Sequence, residues 1–114
     1  MLIRLREAYE LADGDVRLSV VVGEGQRGFI EVLLDGAPLE HGHEITTLRV
    51  GAGSELAGRK LRVTATVTDT NTSTNRTSVT YTIRGGERTR SWTVQHEVDT
   101  EGETVDYDAL FRLL

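Results

Sequence analysis

Alternation with a period of two runs along most of the chain and constrains its fold, because a segment that alternates apolar and polar residues buries one face only as a β-strand. The pattern is plainest in "KLRVTATVTD", where Leu61, Val63, Ala65 and Val67 alternate with Arg62, Thr64, Thr66 and Thr68. In "SVTYTI" the inward set is Val79, Tyr81 and Ile83, with Ser78, Thr80 and Thr82 outward. In "SWTVQHEV" it is Trp92, Val94, His96 and Val98, with Ser91 and Thr93 outward. The turn-rich stretches "DTNTSTNRT" and "RGGERT" separate these runs, which read as three consecutive antiparallel strands with a hairpin loop over 71–77.

The remaining segments follow the same grammar. "DVRLSVVV" offers Val16, Leu18, Val20 and Val22 to one face, and "FIEVLLDG" offers Ile30, Val32 and Leu34 before a turn at Asp35 and Gly36. "ITTLRV" is a short strand, "GAGSELAG" a glycine-rich connection, and "TVDYDALFRLL" a closing strand with Val105, Tyr107, Ala109, Phe111 and Leu113 inward. "LIRLREAYEL" fits a strand with Ile3, Leu5, Tyr9 and Leu11 aligned, or a short helix with Leu2, Leu5 and Tyr9 on one side; strand is preferred because every other segment is one. Short strands, many Gly, Asn and Asp turns and a single proline give one all-β domain over residues 1–114. The expected architecture is an antiparallel β-sandwich of roughly seven to nine strands, immunoglobulin-like in its simplest form, with a small β-barrel or jelly roll as the alternative.

Composition narrows the function. With 114 residues, 38% hydrophobic and 27% charged, the chain has the makings of one self-sufficient core. The absence of cysteine removes disulfides, thiolate metal sites and a cysteine nucleophile. A formal charge of -5 argues against nucleic acid or an anionic membrane as partner. "MLIRLREAYELADGD" interleaves charges with apolar residues and offers no signal-peptide core. The expectation is a cytoplasmic protein, with export by another route left open.

Threonine is β-branched and tolerates water, so it fills the solvated side of a sheet well. Yet exposed strands usually carry lysine and glutamate against edge pairing, whereas Thr64, Thr66, Thr68, Ser78, Thr80, Thr82, Ser91 and Thr93 form an uncharged set. Such a face is cheap to desolvate, and it is the candidate interaction face for a protein partner or a second copy of the chain. The run "AGRKLRVTATVTDTNTSTNRTSVTYTIRGG" followed by "WTVQHEVD" resembles bacterial immunoglobulin-like modules of the cell-adhesion-related type. The resemblance covers the second half of the chain and implies a sandwich fold and a binding role, with no catalytic residue. The Cys, Trp, Cys pattern of antibody-type domains is absent, so Trp92 is read as a core aromatic.

Other chemistry is sparse. His41 and His43 in "LEHGHE" are two apart, so in an extended segment both point the same way, with Glu40 or Glu44 nearby for zinc or copper; a polar turn between strands is the competing reading. His96 falls on inward parity and reads as a satisfied core or rim residue. "ADGDV", "TDTNTSTN" and "VDTEGE" gather oxygens that suit calcium, with Asp69, Asn71 and Asp99 the residues of interest, although Asx-rich turns need no ion. No nucleophile motif and no phosphate loop occurs. The expectation is a non-enzymatic interaction or assembly module without a cofactor; the alternative is a calcium- or carbohydrate-binding sandwich.

Overall fold

The computed structural model describes residues 1–114. Nine strands and one helical turn follow in order: β1 (Leu2–Tyr9), β2 (Asp15–Val22), β3 (Arg27–Leu34), β4 (Ala37–Gly42), β5 (Ile45–Ala52), α1 (Gly53–Leu56), β6 (Lys60–Thr68), β7 (Arg76–Arg84), β8 (Arg90–Glu97) and β9 (Thr104–Leu113). They form a five-stranded sheet ordered β1-β9-β6-β3-β4 and a four-stranded sheet ordered β5-β2-β7-β8. The N-terminal segment is a strand, and it runs parallel to β9 while every other pairing is antiparallel. The two sheets keep separate edges, so the barrel alternative is not realised.

The inward residues of both sheets meet in one cluster of 23 buried apolar residues. Tyr81 on β7 packs edge-on against Phe111 on β9 with ring centroids 5.7 Å apart, and Trp92 on β8 meets the same ring at 4.9 Å. Each such buried side chain contributes about 1.5–3 kcal/mol. Thr77, buried on β7, is paired: its Oγ1 donates to the His96 carbonyl at 2.8 Å and lies 2.6 Å from the Tyr107 hydroxyl, whereas the inward Trp92 Nε1 has no partner. Tyr9 ties the β7–β8 loop to the core by donating to the Arg88 carbonyl (2.7 Å) and accepting from the Gly86 amide (2.8 Å). A Cβ on Gly86 would lie 2.3 Å from the Glu10 carbonyl oxygen and 2.5 Å from the Tyr9 ring, so that approach requires glycine.

Several local expectations are corrected. The three threonine-bearing strands are not consecutive neighbours: β6 pairs with β3 and β9, whereas β7 pairs with β2 and β8 in the other sheet. The stretch over 71–77 therefore includes a crossing between sheets and is not a hairpin loop. Period two fixes which side of a strand is buried and carries no information on which sheet it joins. "APLEHG" is an edge strand, β4, and not a polar turn. The turn that starts it is Asp35-Gly36, both at positive φ (49° and 83°), the backbone of a two-residue type I′ hairpin. Within "GAGSELAG", residues Gly53–Leu56 form a helical turn that buries Leu56.

Candidate interaction surfaces

The outer side of the four-stranded sheet is built by cross-strand register. Thr80 lies opposite Val21 on β2 and Thr93 on β8, and Thr82 lies opposite Ser19 and Ser91. The hydroxyls pair with one another: Thr80 Oγ1 and Thr93 Oγ1 are 2.9 Å apart, and Thr82 Oγ1 and Ser91 Oγ 2.8 Å. Ser19 Oγ accepts from the Thr47 amide at 3.1 Å. Each contact satisfies part of the polar demand inside the face, so less is lost when water leaves it. Val21, 44% exposed, adds an apolar centre. Ser78 belongs to the same row system but is buried, because the β2–β3 turn lies over it: a Cβ on Gly23 would sit 2.3 Å from Ser78 Oγ.

One end of this face carries arginines that sequence reasoning did not single out. Arg17 on β2 stands directly opposite Arg49 on β5 and directly opposite Arg84 on β7. Like charges in direct cross-strand register are destabilising. Asp15 relieves part of this, accepting from Arg49 at 3.1 Å and lying 3.9 Å from Arg17, while Arg84 has no ion pair. The hydrogen bond from Arg49 holds the Asp15 carboxyl below its ordinary value. The signal in the sequence was the parity of Arg17 and Arg84 on their strands; the register that unites them was not readable.

The opposite end is acidic. Glu97 closes β8, and Asp99, Glu101 and Glu103 follow on the exposed turn to β9. None of them takes part in any ion pair. Arg76 faces Glu97 in register, and Glu97 and Glu101 line one shallow cleft with 72–75.

Thr64, Thr66 and Thr68 project from the five-stranded sheet, on the far side of the molecule from Thr80, so the expected single threonine face divides in two. Their side is charged. Asp108, opposite Thr64, is clasped by Arg62 through Nε at 2.9 Å and Nη2 at 2.7 Å, with Arg6 Nη2 at 3.1 Å. The Arg62 bonds, followed by those of Arg6, hold the Asp108 carboxyl well below the usual carboxylate range against the opposing effect of burial. Thr66 donates to Asp106 at 3.0 Å. His41 and His43 do point the same way, but both rings flank the half-exposed Phe29, with centroids at 5.8 and 6.4 Å. His43 Nδ1 is engaged with the Gly28 carbonyl at 2.8 Å, and no three His, Cys, Asp or Glu side chains converge anywhere on a metal-sized site. Both imidazoles of this pair therefore pack against an aromatic ring.

Of the loop residues weighed for calcium, Asp69 and Asn71 bond within the sheet crossing. Gln26 is the hub: its Nε2 donates to Asp69 Oδ1, Thr74 O and Arg76 O, and its Oε1 accepts from the amides of Thr70 and Asn71. Asn71 is used at both ends, donating to the Glu24 carbonyl and accepting from the Ser73 amide. Asp69 is 2% exposed, and its Oδ2 has no hydrogen-bond partner. Asp99 is exposed on the following loop. Gln26 is the residue that the strand pattern passed over, because a glutamine after a glycine turn looks like ordinary loop.

In comparison with known proteins, no family model, no curated protein and no solved structure matches the chain.

Proposed function

We propose that this chain is an immunoglobulin-like β-sandwich acting as a non-enzymatic interaction or assembly module, with the outer side of the four-stranded sheet as its working surface. The observation that carries the reading is the ladder Ser19, Thr82, Ser91 and Val21, Thr80, Thr93, in which the hydroxyls of Thr80 and Thr93, and of Thr82 and Ser91, bond across strands. A flat face of short side chains loses little rotamer entropy when covered. It also carries no charge to strip of water along its middle. The partner is a protein or a second copy of the chain, in keeping with a net charge that disfavours polyanions.

The test is the solution mass by light scattering across a concentration series, comparing Thr80→Lys with Thr66→Lys. Both changes place an ammonium on an outward strand position, half-buried at Thr80 and exposed at Thr66, one on each sheet. The expected result is a defined oligomer that Thr80→Lys dissociates and Thr66→Lys leaves intact. Equal sensitivity to both, or to Thr66→Lys alone, overturns the assignment of the surface.

A further inference from the structure

The charges at the two ends of the molecule fit one another. We infer that copies of this chain associate head to tail, the acidic β8–β9 turn of one copy, Glu97 to Glu103, docking on the Arg49, Arg17, Arg84 row of the next. The inference rests on the reading of the four-stranded sheet as the contact surface and names the occupant of its arginine end.

Neither half is fully compensated within one copy. Of three arginines in direct register, Arg49 and Arg17 share the carboxylate of Asp15, with Glu55 acting on Arg49 from further off, and Arg84 has no ion pair. The acids at 97, 99, 101 and 103 form no ion pair, with Arg76 the cation beside them. β8 begins at the arginine end and finishes at the acidic turn. A strand of eight residues spans about 26 Å, far beyond ion-pair reach and beyond a Debye length of about 10 Å at 0.1 M salt. The two groups therefore cannot satisfy each other inside one chain and can do so between chains. The molecule is 45 × 24 × 21 Å, and its smallest cross-section covers on the order of 500 Å² per copy, the size of a weak, reversible contact. Different surfaces meet, so the contact is heterologous and propagates into open chains or closes into a ring.

The experiment is sedimentation velocity on the intact chain and on two charge-reversed variants, Arg17→Glu/Arg84→Glu and Asp99→Arg/Glu101→Arg, with far-UV circular dichroism to verify folding. Arg84→Ser replaces the first pair if it fails to fold. Wild type is expected to form species of at least twice the monomer mass at about 0.1 M salt and to lose them at about 1 M, where screening shortens to about 3 Å. Each reversed variant alone should stay monomeric, and their equimolar mixture should assemble, since each then offers the charge the other lacks. A monomeric wild type, assembly that survives either reversal, or a mixture that stays monomeric overturns the inference. Assembly lost in Thr80→Lys yet indifferent to both reversals would retain the surface and discard the head-to-tail mode; indifference to all three would discard both.

Discussion

Asp108 illustrates how one side chain's surroundings set a solution property. It occupies an outward position on β9, where alternation predicts solvent, yet its side chain is only 9% exposed because Arg62 and Arg6 fold over it. The two arginines remain 51% and 44% exposed, so their contribution is discounted for screening. Asp108→Asn is expected to lower stability by about 1–2 kcal/mol near neutral pH, in the range of a charge-assisted contact at a half-wet site. The carboxyl titrates lower in the folded chain than its ordinary value of 3.8, so the folded state favours the charged form. The stabilisation is therefore present above about pH 4 and disappears as pH falls through the folded value. Urea unfolding of both proteins from pH 7 to pH 2 checks this: the difference should hold constant down to about pH 5 and then shrink. A difference that grows on acidification would assign the wrong sign to the site.

At the scale of elements, burial parity was legible and pairing was not. Val63, Val67, Tyr81, Ile83, Tyr107 and Phe111 are buried as alternation requires, because a pleated strand has only two sides. The partnership of β6 with β9, forty residues further along, depends on long-range packing that no local pattern encodes, as does the parallel β1–β9 pair. The candidate interaction face shared this fate: parity placed the threonines outward correctly, but strand order divided them between two sheets and added Ser19, Val21 and Arg17 to one of them. The polar hub was hidden for a different reason, since Gln26 acts through five bonds to a segment that begins at Asp69. Gln26→Ala should cost about 2–3 kcal/mol, because buried partners left unpaired lose roughly 1–3 kcal/mol each unless water reaches them. Hydrogen exchange gives the sharper reading. The Thr70 and Asn71 amides, both bonded to Gln26 Oε1, should lose protection while β2 and β7 amides keep theirs. Uniform loss across the sheet would mean that the crossing is part of the global fold and not a local clamp.

For the whole molecule, the decisive point is that the sheets share one interior. Only the β3–β4 and β7–β8 connections join neighbours within a sheet; the other links pass between sheets. Neither sheet can leave without pulling on several chain crossings, and neither retains a buried face alone. Trp92 is placed to report this, since it lies on the edge strand of one sheet against Phe111 of the other. Its emission follows sheet-to-sheet packing, whereas far-UV circular dichroism follows strand pairing within sheets. With one 23-residue cluster, both signals should trace a single transition with the same midpoint and the same slope, about 1–3 kcal/mol per molar in urea for a chain of this size. The large share of non-local pairing also places refolding on the millisecond-to-second scale and not in microseconds. If Trp92 emission changed at lower urea than the circular dichroism, the edge formed by β8 would be a separately melting unit. The surface built on Thr80 and Thr93 would then present a mobile strand, and its flatness could not carry the interaction reading.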